Sequence, residues 1–511
     1  METHNAKKIR ITLALLCYAL VTLLFLDFTG TIHNYFGFLA KTQFLPAVLA
    51  LNAAAILFVV LLTLLFGRVY CSVICPLGVF QDIFSWLGSK RKKAKRGRFK
   101  FVKEHRIARY GILAAFIIVF AISSSVAAII APYSAYGRIA TYIFSPIYKL
   151  ANNALAYFAE RMDSYTFYSV DVWMKGVLPF AIAILTFVLI GTFAFFKGRA
   201  YCNTVCPVGT FLGFISRFSI FRPVIDKSKC IHCGTCERNC KGSCIDSKTG
   251  TFDYSRCVSC MNCIENCHKK AISYKCRFGE SQNENSSVKN TNEVKKESVK
   301  TVDDSRRKFI SVATILAAGT LTGVRAQEKS EEGDGGLAPI QDKVIPERIG
   351  EIVPPGAKSI INLKNHCTAC GLCISACPNN VLRAGKDMKP TVSYERGYCR
   401  PECNRCSTIC PTGAIQKISL AEKSSTQVGH AVWQYDLCIV TRDGVECGNC
   451  ARHCPTGAIQ MVSPDPNNPT LHKIPVVNTE RCIGCGACEN LCPARPKSAI
   501  YVEGHEVHRK V

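Results

Sequence analysis

Cysteine is the residue type with the greatest chemical capacity in this 511-residue sequence, which contains 31 cysteines. Most of them fall into six sets of four with closely spaced thiols, a pattern that indicates iron–sulfur chemistry. Four sets have the spacing C-x2-C-x2-C-x3-C: Cys230, Cys233, Cys236 and Cys240; Cys257, Cys260, Cys263 and Cys267; Cys367, Cys370, Cys373 and Cys377; and Cys482, Cys485, Cys488 and Cys492. Two sets have a longer first gap: Cys399, Cys403, Cys406 and Cys410; and Cys438, Cys447, Cys450 and Cys454.

This spacing predicts six [4Fe–4S] clusters. Three thiolates separated by two residues wrap one face of a cubane, and the fourth cysteine reaches a neighbouring cluster. In the first cysteine-rich region we expect two such ligand groups: Cys230, Cys233, Cys236 and Cys267; and Cys257, Cys260, Cys263 and Cys240. In the C-terminal region we expect the first motif to exchange its fourth cysteine with the fourth motif, and the inner motifs with each other. Structural zinc favours two separated C-x2-C pairs, and an odd number of cysteines excludes complete pairing into disulfides.

Seven cysteines lie outside these sets: Cys17, Cys71, Cys75, Cys202, Cys206, Cys244 and Cys276. Four of them form two C-x3-C-P pairs within an internal repeat, in which residues 67–78 match residues 198–209. Arg68 and Arg199 favour the thiolate form of neighbouring cysteines, so the two pairs are candidates for one shared redox or metal site. A structural helix-end motif is the alternative. Cys244 is a second candidate for the ligand position that the spacing assigns to Cys240.

Four long apolar segments lie in the first two hundred residues: about Ile11–Leu26, Phe44–Phe66, Tyr110–Ala131 and Val177–Phe196. Their length and lack of charge predict four helices that cross a hydrocarbon layer of about 30 Å. The expected fold class is an α-helical membrane domain with four spans, and Phe309–Val324 as a candidate fifth, joined to α+β ferredoxin-like [4Fe–4S] modules. The segment Gly67–Arg106 carries eleven Lys and Arg residues, which predicts that this loop and the first ferredoxin are cytoplasmic.

Composition divides the chain into six segments. We expect a four-helix membrane domain with both C-x3-C-P pairs at 1–225, a two-cluster ferredoxin at 226–278, a flexible linker at 279–304, a twin-arginine signal-like segment at 305–326, a second linker at 327–360 and a four-cluster polyferredoxin domain at 361–511. The adjacent Arg306 and Arg307 predict export of the last domain to the periplasm. A chance pair of arginines before a short helix is the alternative, and cleavage near Ala326 stays open.

The formal net charge of +26 does not indicate a nucleic-acid partner. Each [4Fe–4S] cluster with four thiolates carries about −2, so six clusters lower the total to roughly +14. The sequence contains no Gly-x-Gly-x-x-Gly segment, no phosphate-binding loop and no C-x2-C-H haem motif. We therefore expect a membrane and redox proteins as partners, and no nucleic acid.

The segments GRVYCSVICP and GRAYCNTVCP, followed by a two-cluster ferredoxin, resemble the NapH family of membrane quinol dehydrogenase components. MauN and the membrane core of NosR are similar. The region from the twin arginines onward resembles NapG and MauM, so the chain resembles a NapH–NapG fusion. The resemblance implies an electron-transfer component of the bacterial inner (cytoplasmic) membrane, and not a stand-alone enzyme. It would pass electrons from the quinol pool, through a second ferredoxin in the periplasm, to a periplasmic reductase or cytochrome.

A quinol site requires suitable residues at the outer membrane interface. Asp27, His33, Tyr35 and the aromatic stretch Tyr133–Tyr148 are candidates, although interfacial aromatic residues also serve as membrane anchors. Two other functions stay open. The C-x3-C-P pairs also resemble the oxidase-assembly protein CcoG, which would imply a role in metal-centre assembly or reductive repair. A chain with both ferredoxins in the cytoplasm would instead provide one six-cluster electron input.

Overall fold

The computed structural model describes residues 3–91, 99–173, 175–279, 343–465, 467–468 and 471–511. Among these, the described residues of 3–279 and of 344–511 belong to one compact unit. The twin-arginine segment at 305–326 lies outside the described residues. The same is true of the first linker beyond Gly279 and of the second linker up to residue 342.

The N-terminal region consists of helices. In the described residues they are α1 (Thr3–Leu26), α2 (Thr31–Phe36), α3 (Phe38–Lys41), α4 (Phe44–Leu49), α5 (Ala53–Phe66), α6 (Val69–Val73), α7 (Pro76–Ser89), α8 (Arg106–Ile122), α9 (Ser124–Ile130), α10 (Pro132–Ile139), α11 (Ser145–Glu160), α12 (Val177–Lys197), α13 (Ala200–Thr204) and α14 (Pro207–Ser216). A π-helical turn, Ala140–Phe144, joins α10 to α11. Helix α12 packs against α7 and α10, and α1 packs against α6 and α7. The first repeat therefore lies between the two longest helices.

The two sequence repeats fold in the same way. In each, a short helix (α6 or α13) carries the first cysteine, and the second cysteine is the N-cap of the next helix (α7 or α14). Pro76 and Pro207 occupy the first helical position, where the missing N–H of proline costs no hydrogen bond. A Cβ at Gly78 would lie 2.1 Å from the carbonyl oxygen of Cys71, and the second repeat has the same close approach. The C-x3-C-P-x-G pattern therefore encodes one tight helix–turn–helix, used twice.

The expectation of a four-span membrane domain is wrong. In the described residues, two helices are long and apolar enough to cross a membrane by length and composition, Asn5–Leu26 and Val177–Lys197. The candidate fifth span, Phe309–Val324, lies outside the described residues.

Two of the apolar sequence runs are interrupted, and each interruption has a local cause. The run Phe44–Phe66 breaks at Asn52, whose side chain accepts the N–H of Ala55 and starts a new helix, so α5 has only 14 residues. The run Tyr110–Ala131 breaks at Ser123, where extended backbone ends α8 after 17 residues. A helix needs about 20 residues to cross the hydrocarbon layer, so neither run supplies a spanning helix.

The first ferredoxin, residues 221–279, contains two short antiparallel strand pairs. Strand β1 (Phe221–Ile225) pairs with β4 (Ile272–Cys276), and β2 (Ile245–Asp246) pairs with β3 (Thr251–Phe252). The one-turn helices Thr235–Arg238 and Asn262–Glu265 each carry the third cysteine of a motif, and a 3-10 turn covers Arg277–Gly279. Cysteines make up much of its small core, so bound clusters must contribute to its stability.

The C-terminal ferredoxin, residues 344–511, extends this plan with three antiparallel strand pairs. Strand β5 (Leu382–Ala384) pairs with β6 (Pro390–Val392), β7 (Thr426–Trp433) with β10 (Ile500–Lys510), and β8 (Ile459–Val462) with β9 (Ile474–Val477). The β7–β10 register places Ile500 opposite Trp433 and shifts between Gly504 and Arg509. The short helices are Ile360–His366, Leu372–Ser375, Arg405–Ile409, Leu420–Ser425, Tyr435–Leu437 (3-10), Ile439–Arg442, Asn449–Arg452 and Ala487–Asn490.

The largest hydrophobic core joins the N-terminal helices to the C-terminal ferredoxin. It contains helix residues such as Phe25, Tyr70 and Tyr136, together with Cys370 and Leu372 of the first C-terminal motif. The cysteines of that motif are therefore part of the same core as the helices.

Candidate iron–sulfur centres and a buried cysteine site

All 31 cysteines lie among the described residues, and none forms a disulfide bond. In the first ferredoxin, Cys240, Cys257, Cys260 and Cys263, which we call set 2, line one cavity. Cys244 lines the same cavity, and its Sγ lies 3.4 Å from the Sγ of Cys240. The hydrogen bond from Cys244 lowers the pKa of the Cys240 thiol to about 7, against the effect of burial. Cys240 is thus the better thiolate of the two, with a second thiol beside it.

Set 1, the other ligand group of the first ferredoxin, is more exposed. Cys230, Cys233 and Cys236 lie within electrostatic range of one another, and Cys267 packs against the same small core as Cys236. Cys233 is exposed to solvent. Hydrogen bonds from the side chain and backbone of Thr235 lower the pKa of the Cys233 thiol.

In the C-terminal ferredoxin the fourth cysteines of the first and second motifs each lie beside the first three thiols of the other motif, whereas we expected the outer motifs to pair with each other. Set 3 comprises three cysteines of the first motif and one of the second: Cys367, Cys370, Cys373 and Cys410. Set 4 is the reciprocal group: Cys399, Cys403, Cys406 and Cys377. The hairpin β5–β6 lies between the two motifs and folds the chain back, so sequence neighbours become spatial neighbours.

The third and fourth motifs exchange in the same way. Set 6 lines one cavity: Cys454, Cys482, Cys485 and Cys488. Set 5 is the reciprocal group: Cys438, Cys447, Cys450 and Cys492. The two halves meet where the N–H of Cys399 donates to the carbonyl oxygen of Cys485 at 2.9 Å. The spatial order of the sets is therefore 3, 4, 6 and 5.

The cysteine sets suit [4Fe–4S] clusters. In the described residues, no group of three or more His, Cys, Asp or Glu side chains is arranged to hold a single metal ion. Sets 2 and 6 instead surround cavities. Backbone N–H groups also donate to motif thiols, as from Ala271 to Cys267 Sγ at 3.3 Å and from Ala369 to Cys367 Sγ at 3.4 Å. Such contacts stabilise anionic thiolates that ligate iron, and a bound cluster supplies one-electron transfer.

Four further cysteines, Cys71, Cys75, Cys202 and Cys206, form what we call the buried cysteine site. Their side chains are 3–5% exposed, and their thiols lie within electrostatic range of one another. The N–H of Gly209 donates to Cys206 Sγ at 3.3 Å, and the Gln81 amide donates to Cys202 Sγ at 3.2 Å. Because two of the cysteines cap helix N-termini, the site favours negative charge.

Two fully buried arginines link the repeats at this site, because each donates a hydrogen bond to the other repeat. Arg68 donates to the carbonyl oxygen of Gly209 and Arg199 to that of Cys71, both at 2.8 Å. Arg199 is paired with Asp82 at 2.9 Å. In the described part of the chain, Arg68 donates its hydrogen bonds to neutral oxygen atoms. A buried guanidinium without an anion is costly, so Arg68 also favours an anionic group at the thiols.

The buried cysteine site contacts the first ferredoxin through both repeats. Arg68 Nε donates to the carbonyl oxygen of Cys257, a set 2 residue, at 3.3 Å. The backbone N–H of Arg199 donates at 2.9 Å to the carbonyl oxygen of Lys241, which follows Cys240 in the chain. Set 2 is therefore the nearer of the two first-ferredoxin sets.

Two buried tyrosines connect the buried cysteine site with set 3. Tyr70 lies within electrostatic range of Cys71, Cys75 and Cys206. Tyr133 lies near Tyr70, and also near Cys370 and Cys410 of set 3. Tyr70, Tyr133 and Cys370 belong to one core, so packed side chains fill the whole path.

Both candidate membrane helices run between the two ferredoxins. Near its start, α1 contacts the first ferredoxin through Lys7 and Glu265. Just beyond its end, the carbonyl oxygens of Phe28 and Thr29 each accept a 2.8 Å hydrogen bond from Arg405 of the C-terminal ferredoxin. The 24 residues of α1 span about 36 Å.

Helix α12 also connects the two ferredoxins, but its chain direction is opposite to that of α1. Just before its start, Lys175 donates to the carbonyl oxygen of Ile374 in the C-terminal ferredoxin at 2.6 Å. Just beyond its end, Arg199 contacts Lys241 of the first ferredoxin. The two ferredoxins therefore contact opposite ends of the same pair of helices.

Sequence reasoning missed three buried lysines beside sets 3 and 4. Lys175 lies near Cys373 and Cys377, and Lys149 lies near Cys377. Lys389 lies near Cys367. Burial lowers the pKa of Lys175 to about 7, and an anionic cluster beside it would favour the charged form. No motif marks these lysines in the sequence. Lys149 and Lys175 reach the cysteines only through docking of the C-terminal ferredoxin, whereas Lys389 lies within that ferredoxin.

The structure separates the quinol-site candidates. Asp27 and His33 form a buried pair, with 3.0 Å between Asp27 Oδ2 and His33 Nδ1. Burial acts to raise the pKa of Asp27, but hydrogen bonds from His33, Gly30 and Thr29 hold that pKa well below its usual range. His33 Nε2 is buried and has no hydrogen-bond partner in the described part of the chain. Tyr35 is 79% exposed.

The aromatic stretch Tyr133–Tyr148 is divided in the same way. Tyr133, Tyr136 and Tyr142 are buried in the protein, whereas Tyr148 is exposed. Tyr148 packs its ring against Phe28, next to the turn that holds Asp27. The buried members of the stretch pack in the protein interior, and Asp27 and His33 are the candidates with acid–base capacity.

Two known families match the chain. The 4Fe-4S binding domain family matches residues 49–95 and 177–226, and the 4Fe-4S dicluster domain family matches residues 366–414 and 445–495. The first match contains four cysteines, and all four belong to the buried cysteine site. These matches confirm that the chain contains [4Fe–4S] domains; the count of six clusters stays a prediction.

Curated relatives carry ferredoxin-type names. The ferredoxin-type protein NapF of Escherichia coli K12 is 31% identical over 159 residues, which are 30% of this chain and 87% of NapF. The methylamine utilization ferredoxin-type protein MauM of Methylophilus methylotrophus is 32% identical over 157 residues, 29% of this chain and 69% of MauM. MauN of Paracoccus denitrificans is 26% identical over 175 residues, 34% of this chain and 48% of MauN. No solved structure matches.

These relatives confirm part of the sequence-based resemblance. They support an iron–sulfur electron-transfer protein of the ferredoxin type found among Nap and Mau proteins. The fusion of a NapH-type with a NapG-type chain, the quinol link and the periplasmic acceptor stay predictions.

Proposed function

Because the chain belongs to the family of ferredoxin-type proteins that includes NapF, we propose that it is a membrane-bound iron–sulfur protein that passes electrons from the quinol pool to a periplasmic reductase or cytochrome. One observation carries the proposal: each candidate membrane helix has one end at the first ferredoxin and the other at the C-terminal ferredoxin. In the proposed topology the two ferredoxins lie on opposite sides of a bacterial inner membrane. The first ferredoxin is assigned to the cytoplasm because the basic segment Gly67–Arg106 favours that side, and the C-terminal ferredoxin is assigned to the periplasm.

The order of the C-terminal sets gives a direction away from the helices. Set 3 lies against the helix core through Cys370, and the contact between Cys399 and Cys485 leads from set 4 to set 6. Set 5 is then the last in line. The segment Arg442–Glu446, between two set 5 cysteines, is exposed, so we assign the acceptor's docking position to this end of the protein.

Quinol oxidation releases two electrons and two protons, so the site needs a proton acceptor close to an electron acceptor. His33 Nε2 is a free buried base, and Asp27 holds its other ring nitrogen. Arg405 lies between two set 4 cysteines in the chain and contacts the turn that contains Asp27. In the proposed reaction His33 accepts one quinol proton, solvent accepts the other, and both electrons leave toward the C-terminal ferredoxin.

This function is tested by measuring whether quinols reduce the clusters of the purified protein. The full chain, isolated anaerobically in detergent, is mixed with reduced menaquinone and ubiquinone analogues, and electron paramagnetic resonance follows cluster reduction. We expect reduction by at least one quinol. His33→Gln should slow it by about 10²–10⁴-fold, the usual contribution of a general base, whereas Tyr35→Phe, at an exposed position, should not. Reduction by dithionite but by neither quinol would overturn the function; equal rates in His33→Gln and wild type would overturn the site.

The proposed location has a separate test. A C-terminal epitope in the native strain should be digested by protease in intact spheroplasts, since the C-terminal ferredoxin is assigned to the periplasm. An epitope between β2 and β3 of the first ferredoxin should be digested only after lysis. Protection of the C-terminal epitope before lysis would overturn the location and favour a role in the cytoplasm.

A further inference from the structure

We propose that the buried cysteine site holds a seventh iron–sulfur cluster, ligated by Cys71, Cys75, Cys202 and Cys206, which relays electrons between the two ferredoxins. This inference deepens the electron-transfer function proposed above and rests on it. It assigns a ligand set that lies outside the six ferredoxin motifs.

The donor set is the first support. Four cysteine thiolates are the usual ligands of iron–sulfur clusters, and here two come from each repeat. The thiols are almost fully buried, which is unusual for reactive cysteines and suits ligands that are shielded from solvent. The N–H of Gly209 and the Gln81 amide already donate hydrogen bonds to the sulfur atoms, and such bonds stabilise thiolates that ligate a cluster.

The charge balance is the second support. Arg68 and Arg199 are fully buried, and only Arg199 has a carboxylate partner, Asp82, in the described part of the chain. A cluster with four thiolates carries about −2. Such a group would provide the anion that Arg68 lacks, and the N-termini of α7 and α14 would add to the attraction.

The family match is the third support. The two segments that match the 4Fe-4S binding domain family, 49–95 and 177–226, contain no cysteines besides these four. Neither segment includes a ligand of sets 1–6. If the chain uses this family's cofactor in these segments, its cysteine ligands must be Cys71, Cys75, Cys202 and Cys206.

The position gives the site its role. It contacts set 2 through Arg68 and Cys257, and it leads to set 3 through Tyr70 and Tyr133. The ferredoxins lie at opposite ends of α1, about 36 Å apart by helix length, so a centre between them divides a long transfer into two shorter ones. Each transfer moves one electron: the site is reduced as one neighbouring cluster is oxidised, and it is reoxidised as the other is reduced. Quinol, the reductant of the function proposed above, supplies the electrons at the C-terminal ferredoxin. No bond or proton changes place.

Native mass spectrometry of the full chain, purified anaerobically in detergent, tests the inference by counting clusters. We expect species with up to seven [4Fe–4S] clusters, about 28 iron atoms, where the six ferredoxin motifs account for about 24. Cys71→Ser and Cys202→Ser should each reduce the maximum by one cluster, about four iron atoms, and remove one electron paramagnetic resonance signal. Cys276→Ser, outside every set, should leave the maximum unchanged.

A wild-type maximum of six clusters would overturn the inference, and this count does not depend on whether the variants fold. Equal cluster maxima in Cys71→Ser and wild type would also overturn it. The outcome is distinguishable from that of the proposed function. Seven clusters without reduction by any quinol would support the seventh site and overturn the quinol function. Six clusters with reduction by quinol would support the quinol function and overturn the seventh site.

Discussion

The cavities of set 2 and set 6 differ in one thiol. Five cysteines line the cavity in the first ferredoxin, because Cys244 joins the four set 2 residues. Four cysteines line the corresponding cavity in the C-terminal ferredoxin. The first ferredoxin therefore has a spare ligand 3.4 Å from Cys240, and the C-terminal one has none at set 6. We therefore expect the set 2 centre to tolerate the loss of one ligand better than the set 6 centre.

The residue after the fourth cysteine shows a related difference. Proline follows it in all four C-terminal motifs, whereas Lys241 and His268 stand there in the first ferredoxin. The carbonyl oxygen of Lys241 accepts the N–H of Arg199, and its ammonium group lies 3.4 Å from Asp82. The first ferredoxin thus uses Lys241 at this position to dock on the helices. The C-terminal ferredoxin docks instead through its own Arg405 and through Lys175, which lies just before α12.

The largest expected effect tests the spare thiol directly. Cys454→Ser should lose the set 6 cluster, about four iron atoms, because no fifth thiol lines that cavity. Cys240→Ser should keep its cluster, with Cys244 as the replacement ligand. Iron analysis and electron paramagnetic resonance of both variants provide the measurement.

The double variant Cys240→Ser/Cys244→Ser is the matched control and should lose the cluster as Cys454→Ser does. Cys244→Ser alone should keep it, with a changed spectrum because Cys240 loses a hydrogen bond. Loss of the cluster in Cys240→Ser alone would show that Cys244 cannot replace Cys240, and would overturn the expected difference between sets 2 and 6.

Arg405→Ala should weaken docking of the C-terminal ferredoxin and leave the first ferredoxin unaffected. It removes two charge-assisted hydrogen bonds to Phe28 and Thr29, each worth about 1.5–3 kcal/mol. Hydrogen–deuterium exchange should rise in residues 27–33 and 399–410. The exposed Lys417→Ala is the control, and unchanged exchange in Arg405→Ala would show that other contacts hold the two regions together.

Lys175→Gln should lower the reduction potentials of the set 3 and set 4 centres, because it removes a cation beside Cys373 of set 3 and Cys377 of set 4. A nearby charge contributes about 1–4 kcal/mol, so we expect a shift on the order of 40–170 mV, at 59 mV per tenfold for one electron. Redox titration followed by electron paramagnetic resonance measures it. The exposed Lys386→Gln should have no effect, and the potentials of sets 1 and 2 should stay constant in both variants.

The smallest effect concerns acid stability of the C-terminal ferredoxin. Burial, and the neighbouring His505, lower the pKa of His508 from 6.5 to about 4. The unfolded chain therefore takes up a proton first as pH falls from about 6.5 to 4, and the folded state loses stability across that window. His508→Gln should retain its cluster absorbance longer than wild type at pH 5, with equal lifetimes at pH 7.5. The exposed His472→Gln is the control; if it matches His508→Gln, burial is not the cause.

Cysteine spacing was a sufficient guide to the chemistry and to the ferredoxin modules, because three thiols at fixed intervals leave few alternatives. It did not give the C-terminal exchange pattern, which depends on the hairpins β5–β6 and β8–β9 between motifs. Hydropathy overestimated the number of spans, since Asn52 and Ser123 interrupt apolar runs whose composition alone fits a spanning helix. The docking lysines were invisible in sequence, because their contacts join residues about 200 positions apart.

The fit between α10 and the first C-terminal motif also bears on how the protein matures. The carbonyl oxygen of Cys370 lies 2.3 Å from the position that a Cβ would occupy on Gly137, and a Cβ on Gly371 would lie 2.8 Å from Thr141 Oγ1. Only a Cys367–Cys373 loop that already has its final shape can enter this space. The loop that carries three set 3 cysteines and the helices it contacts must therefore take their final shapes together, which links formation of that centre to docking of the C-terminal ferredoxin.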